Sequence, residues 1–363
     1  MYRTLTFALI MLTHLVLYQF KNHANSTFDL THKVHCFWGQ NGIGKTNILD
    51  AVYYLCFTKS YFSSYDSQVI KDGCKEMFIE GTIKGDKIRC LIRENGKKEI
   101  LLNKVAYDKY SEHIGAYPAV MISPDDTILI SGHSDVRRKF LDIILSQLDA
   151  DYLQHLIIYN KQLAQRNALL KEYKGKNLDS NLLGTYNEIL ALHGTYIFNK
   201  RKGIIEELTV LVQQFYSQLS AEKENVFIAY KSSLKERSLL AIFKENEQKD
   251  FYMQRTTDGV HRDDLIFNIA NFPLKQYASQ GQRKSFLFAL KLAEFHLLKK
   301  HLHKNPLLLI DDLFEKLDES RAQILIQIIT KLDTQVLITD TDKERLSNAF
   351  AQSTNAFGLH EII

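Results

Sequence analysis

Between residues 39 and 46 the chain reads Gly-Gln-Asn-Gly-Ile-Gly-Lys-Thr, which meets every fixed position of the phosphate-binding pattern G-x-x-x-x-G-K-[S/T]. The pattern constrains the fold strongly, because it works only at a corner where a strand ends and a helix begins. The flanks supply both. Val34 to Trp38 is a short β-prone run, and Ile48, Leu49, Val52 and Leu55 recur with helical spacing. Glycine at 39, 42 and 44 lets the backbone wrap an anion and aim N–H groups at it from the positive end of the helix. On this reading Gly39, Gln40, Asn41, Gly42, Ile43, Gly44, Lys45 and Thr46 hold a nucleoside triphosphate. Lys45 reaches the β- and γ-phosphates, and the Thr46 hydroxyl ligates Mg²⁺. The alternative is a glycine-rich turn before an ordinary helix, which the full match and its flanks disfavour.

Far along the chain, Pro306 precedes the apolar run Leu307-Leu308-Leu309-Ile310, which ends in Asp311-Asp312. Such a run suits a central parallel strand covered on both faces, and ligands collect at the carboxyl ends of such strands. Asp311 is the expected second protein ligand for Mg²⁺, and Asp312 is placed to polarise an attacking water. Taken alone, the pair reads equally as an acidic loop after a core strand. A third segment, Ser279-Gln280-Gly281-Gln282, starts an amphipathic run from Phe286 to Leu297. Free N–H groups at a helix start can bind a further phosphate, although an isolated Ser-x-Gly-Gln is also a plain cap.

The order of phosphate loop, long insertion, Ser-Gln-Gly-Gln, Asp-Asp strand and then Leu317-Asp318 resembles the ABC-type ATPase heads of the SMC group. Within that group the chain is similar to the RecF family of bacterial recombination-repair proteins. Pro124 to Asp142, P-D-D-T-I-L-I-S-G-H-S-D-V-R-R-K-F-L-D, follows the family's P-[E/D]…G…R-R-x-F-L-D pattern. It departs from that pattern at His133 and Ser134. Gly259-Val260-His261-Arg262-Asp263-Asp264 matches a second family segment, while Glu315 and Lys316 stand where a Ser-Glu pair is common. The resemblance covers about residues 16 to 345. It implies that ATP on the Lys45 loop of one subunit is capped by Ser279 of the other, with Asp318 as the D-loop residue. ATP and Mg²⁺ would then close a homodimer on DNA near single-strand/double-strand junctions. It further implies slow hydrolysis acting as a timer, and loading of RecA together with RecO and RecR in the cytoplasm. The Met121 to Asp126 region corresponds to the glutamine loop but contains no glutamine, and Thr339 and Asp340 are candidates for the switch residue.

Organisation follows from proline. The chain has none between Pro124 and Pro273, and Leu141, Ile144, Leu148, Tyr152, Leu156, Tyr159 and Leu163 step by three or four. Lys174-Gly175-Lys176-Asn177 interrupts the pattern, which resumes from Tyr186 to Leu219. Two long helices of an antiparallel arm are expected, with Gly184, Gly194 and Gly203 each costing about 1 kcal/mol unless packing compensates. The expected fold is α/β: an ABC-type ATPase lobe built from both chain ends, with an inserted, mainly helical lobe containing the arm. Residues 1–10 read as a possible N-terminal extension, 11–125 and 255–363 as the ATPase lobe, and 126–254 as the helical lobe.

Forty-six Lys and Arg against forty-two Asp and Glu leave a charge of only +4, so DNA affinity cannot be read from the total. Arg137, Arg138, Lys200 and Arg201 are the candidate DNA contacts on the arm and its base; a solvated helix face is the alternative. Cys36, Cys56, Cys74 and Cys90 form no C-x-x-C pair and are expected to be buried reduced thiols. The apolar run from Leu5 to Phe20 lacks a charged leader and a cleavage site, is shorter than a membrane span, and holds the expected first strand. Two other classes compete. A transporter's nucleotide-binding subunit does not carry so long a helical insertion, and a nuclease of the overcoming-lysogenisation-defect type needs a further metal-dependent domain.

Overall fold

The structure, a computed structural model, describes residues 12–172, 180–220, 224–312, 319–351 and 357–362. The expected extension 1–10, the turn at 174–177, Glu315, Lys316 and the D-loop candidate Asp318 lie outside the described residues. The chain divides into two compact units, one of Met1–Asp126, Phe215–Glu222 and Lys284–Ile363, the other of Thr127–Gln214 and Lys223–Arg283.

In the first unit β1 (Leu12–Phe20) lies between β2 (His23–Asp29) and β4 (Met77–Ile83). This strand holds the described part of the apolar run near the N-terminus, where Leu12, Leu15, Leu17 and Phe20 are fully buried. Among the described residues no helix is long and apolar enough to cross a membrane. The chain then forms β3 (Val34–Trp38) and helix α1 (Lys45–Phe57), and after β4 the strands β5 (Asp86–Ile92), β6 (Lys98–Leu102), β7 (Val105–Ala106) and β8 (Ala119–Ile122). Every residue of α1 from Ile48 to Phe57 is buried, because the helix packs against strands of both sheets of this unit. A helix apolar around its whole circumference is what such a central position requires. Asp50, fully buried in it, is held by Ser60 Oγ, the Tyr61 N–H and Lys21 Nζ, each at 2.7 Å. Cys36, Cys56 and Cys90 are buried thiols; Cys74, expected to be buried too, is only half-buried.

The second unit begins with α2 (Ile128–Ser131), α3 (Ser134–Leu148), α4 (Ala150–Glu172) and α5 (Ser180–Leu219), the last as far as Gln214. The helix expected to run through Leu141 and Leu163 is two helices. Asp149 is extended and its carboxylate accepts from the N–H groups of Asp151 and Tyr152, capping α4 and ending α3. The pairs Tyr152–Arg201, His155–His193 and Arg166–Asn187 run in opposite senses, so α4 and α5 are antiparallel. α5 continues unbroken over 40 residues through its three glycines. At Gly194 the reason is close approach: a Cβ would stand 2.5 Å from Leu239 Cδ2 and 3.0 Å from the Tyr159 ring. Gly184 and Gly203 meet no such neighbour, and the structure gives no packing reason for them.

There follow β9 (Val226–Lys231), α6 (Leu239–Glu245), α7 (Glu247–Met253), β10 (Asp264–Ile269), β11 (Phe272–Pro273), α8 (Leu274–Tyr277) and α9 (Gln280–Leu302). β9 and β11 flank β10 in an antiparallel sheet, and α3 packs on β10. These contacts tie 255–283 to the helices, and Lys223–Arg283 belongs to the second unit. The chain closes in the first unit with β12 (Leu307–Ile310), α10 (Glu319–Lys331), β13 (Val336–Asp340), α11 (Lys343–Ala351) and β14 (Phe357–Glu361). The order β14-β3-β13-β12-β8 is parallel throughout, with β12 interior and wholly buried. One sheet is thus assembled from both chain ends, and the mainly helical unit is an insertion in it.

Candidate functional site: a phosphate cleft

Parallel register sets the geometry of the cleft. Ile310 pairs with Ile122 and Ile338, and Trp38 with Asp340 and Glu361, so the carboxyl ends of β8, β12, β13 and β3 share one edge. The glycine loop leaves β3 at that edge. Its backbone is left-handed at Gly44, φ 108°, where any Cβ would stand 2.4 Å from the Asn22 side-chain amide. A side chain at Gly39 would stand 2.3 Å from Ile43 Cδ1 and 2.6 Å from the Ile362 carbonyl. Glycine is therefore demanded at both ends of the loop by space as well as by φ.

Lys45, the first residue of α1, donates to the Gly39 and Gln40 carbonyls at 2.8 Å each. Burial lowers the pKa of its ammonium, and the Asp312, Asp311 and Asp340 carboxylates oppose that shift. The next residue, Thr46, donates through its hydroxyl to Asp311 Oδ1 at 2.8 Å, and Thr339 donates to the same oxygen at 2.7 Å. Thr339 Oγ1 also accepts from the Asp312 N–H at 2.9 Å, which holds Asp312 at φ 48°, a left-handed conformation that aspartate tolerates at a functional corner. Burial raises the pKa of Asp311, and the two hydroxyl bonds and Lys45 partly offset it. An open cleft of about 360 Å³ is lined by loop residues between Asn41 and Asn47, by Pro124, by Asp311 and Asp312, and by Thr339 and Thr341.

The cleft can hold a polyphosphate chain. The loop offers N–H groups at a helix N-terminus, Lys45 is held by neutral carbonyls that phosphate oxygens can replace, and Thr46 with Asp311 presents a hydroxyl and one carboxylate. That donor set suits Mg²⁺, which keeps several waters and takes one or two protein oxygens with the rest from phosphate. Among the described residues no group of three or more His, Cys, Asp or Glu side chains could hold a metal, so the phosphate itself would have to complete the shell. Thr339, named as a switch candidate, touches the cleft; Asp340 is buried behind it and bonded to Arg345 and the Asp342 N–H.

Sequence reasoning missed the layer beneath. Asp126 Oδ2 accepts from the Ser123 N–H at 2.8 Å, Tyr61 donates to Asp126, and Lys291 Nζ lies 3.6 Å from both Asp126 and Glu294. All three charges are buried, and burial pushes the Glu294 carboxyl up to about 7. The signal was available: Lys291 and Glu294 interrupt the apolar pattern of α9, and charges in such places need partners.

The Ser279 segment belongs to the second unit. Ser279 and Gln280 are exposed, and Gly281 and Gln282 half-buried. Ser279 Oγ accepts from the Gln282 N–H at 3.2 Å, and Gln282 Oε1 accepts from the Ser279 N–H at 2.6 Å. This reciprocal cap starts α9 and uses the serine oxygen only as an acceptor, so neither cap bond consumes the hydroxyl proton.

The same unit holds the basic candidates. Arg137 is buried and forks onto Asp264 at 2.8 and 3.0 Å; Arg138 donates to the Asp263 carbonyl and Ser134 Oγ. Arg201 is buried between Asp142, at 2.8 Å, and Asp263, at 3.4 Å. Arg137 and Arg201 are thus buried and bonded to carboxylates, an arrangement in which each charge compensates another in the interior. Lys200 is exposed and pairs with Asp149 at 2.6 Å. The two sequence segments with the family pattern, one ending at Asp142 and the other at Asp264, thus meet in one knot of charge.

The chain matches the model of the RecF/RecN/SMC N-terminal domain over residues 11–360. It is 43% identical over 351 residues to the DNA replication and repair protein RecF of Flavobacterium johnsoniae, covering 95% of this chain and 97% of that one. It is 42% identical to the RecF of Phocaeicola vulgatus, covering 93% and 92%. Among solved structures it superposes on the recombination mediator protein RecF with ATP in the RecFOR pathway, with a TM-score of 0.88, 28% identity and coverage of 94% and 95%. An Smc head domain from Pyrococcus furiosus shares the fold at a TM-score of 0.54 and 16% identity, covering 93% and 92%. Fold, sequence and the phosphate cleft agree, and the chain belongs to the RecF family of DNA replication and repair proteins, with the ATPase-head fold of the SMC group.

Proposed function

We propose that this chain binds ATP with Mg²⁺ in the first unit's cleft and uses the bound nucleotide to form a homodimer that holds DNA. The observation that carries the reading is the linkage Thr46–Asp311–Thr339: one carboxylate oxygen joins the phosphate loop, the Asp-Asp strand and the last interior strand. Lys45 holds the β- and γ-phosphates, Thr46 and Asp311 would hold the metal, which would supply charge neutralisation to the phosphates, and Asp312 orients and deprotonates the attacking water. Ser279 and its neighbours at the start of α9 cap the ATP of a second copy, so that two chains enclose two nucleotides. A relative solved with ATP as a recombination mediator in the RecFOR pathway supports a DNA-repair role; on this reading the chain acts with RecO and RecR at single-strand/double-strand junctions, ahead of RecA loading. Hydrolysis then releases the DNA and serves as a timer.

Sedimentation at saturating ATP tests the scheme. Asp312→Asn keeps geometry but cannot accept the water's proton, so it should bind ATP, hydrolyse it about a hundredfold more slowly or worse, and accumulate as a dimer. Adding Ser279→Arg should return it to monomer while ATP binding persists. A monomeric Asp312→Asn, or a dimeric double variant, would refute capping in trans.

A further inference from the structure

Gln282 forms two kinds of contact through one amide. Its Oε1 takes the Ser279 N–H at 2.6 Å, and its Nε2 donates to both carboxylate oxygens of Glu224, at 2.9 and 3.1 Å. A carboxylate only accepts and a backbone N–H only donates, so the two partners together fix which end of the amide points which way. Glu224 is itself anchored. The Asn225 carbonyl accepts from the Ala270 N–H at 2.7 Å, and the Val226 N–H donates to Gln213 Oε1 at 2.6 Å. On the other side Leu274 is fully buried and Arg283 donates to the Lys275 carbonyl at 3.0 Å, fixing the approach to Ser279.

From this arrangement we propose that Glu224 is a positioning residue for the capping serine: it locks the Gln282 amide, which holds the Ser279 N–H and leaves the Ser279 hydroxyl proton directed at the partner's phosphate. This rests on the reading that Ser279 caps ATP in trans. No side chain of Glu224 touches nucleotide in this scheme. An opposite role is also physically possible for a carboxylate so near a phosphate-binding helix start, namely repulsion of the incoming anion. The two differ in sign.

Glu224→Gln and Glu224→Ala distinguish them, read by amide hydrogen exchange at Ser279, ATP titration calorimetry and ATP-dependent sedimentation of the full chain. Positioning predicts that Ser279 exchanges about tenfold faster in Glu224→Ala and that the ATP-dependent dimer weakens by about tenfold, with Glu224→Gln between it and wild type. ATP affinity of the monomer should not change in either variant. Unchanged Ser279 exchange in Glu224→Ala overturns the proposal, as does faster exchange with an unaltered dimer. A tighter dimer in Glu224→Gln overturns it in favour of repulsion. A wild-type chain that never dimerises on ATP removes the capping scheme and this role with it, while the exchange data still report whether Glu224 locks Gln282, so the two failures are separable.

Discussion

In the first unit a lysine, two threonines and two aspartates meet at the ends of parallel strands around an open cleft of about 360 Å³. In the second, Arg137, Arg138 and Arg201 meet Asp142, Asp263 and Asp264 in a knot that buries Arg137, Arg201 and Asp263. The side-chain types are nearly the same, and the partners are not. Lys45 is bonded to main-chain carbonyls, neutral groups that a phosphate oxygen can replace. Arg137 and Arg201 are bonded to carboxylates. A cation held by neutral acceptors is available to an anionic ligand, whereas one already neutralised in the interior is part of the scaffold.

The sharpest way to break this contrast is to remove one charge from each region. Arg201→Ala leaves Asp142 and Asp263 facing an uncompensated interior, and should cost about 3 to 5 kcal/mol of stability. Urea unfolding should show the lowered midpoint. A variant as stable as wild type that instead binds DNA less tightly would return Arg201 to the surface role expected from its sequence.

Lys45→Ala should do the reverse. ATP affinity by calorimetry should fall by about a hundredfold or more, since charge-assisted bonds to the phosphates are lost, while the unfolding midpoint stays within about 1 kcal/mol of wild type. ATP-dependent DNA binding should vanish with it. Wild-type affinity for the nucleotide would show that the cleft is not a phosphate site.

Acid should also act on the knot, and here the effect is smaller. His261 lies in the same segment as Asp263; its Nε2–H donates to the Thr256 carbonyl and its Nδ1 accepts from the Tyr159 hydroxyl. Burial, with Arg262 and Arg138 nearby, lowers it to about 4. The native state therefore binds fewer protons than the unfolded chain between the ordinary histidine value and about 4. Its contribution is complete above about pH 6.5 and declines as pH falls through that window. Because the ring is only half-buried, about 1 kcal/mol is expected. Comparing urea midpoints at about pH 7.5 and about pH 5 should show less acid loss in His261→Gln than in wild type. An equal loss in both would place the acid sensitivity elsewhere.

How much of this was legible beforehand depended on whether a feature is local. The phosphate loop, the Asp-Asp strand and the capped start of α9 are each encoded in a few consecutive residues, because backbone conformation, strand burial and capping depend on near neighbours. That the ATPase lobe draws on both chain ends followed from the order of those segments. The first strand, expected at Leu15 to Asn22 from the family resemblance, is β1 over Leu12–Phe20, and the break at Asp149 was hidden because a helical period continues across it.

What the sequence alone determined is therefore the chemistry offered at the cleft: glycines that free the loop, a lysine and a threonine at its end, and two aspartates after a buried strand. Only the tertiary structure decided the fate of the remaining charges. Arg137 meets Asp264 across 127 positions, Arg201 meets Asp142 across 59, and Gln282 meets Glu224 across 58. No pattern along the chain pairs residues so far apart, and a charge has no fixed meaning until its partner and its burial are known. In water an arginine is a surface cation ready for DNA; desolvated beside a carboxylate it becomes part of the frame.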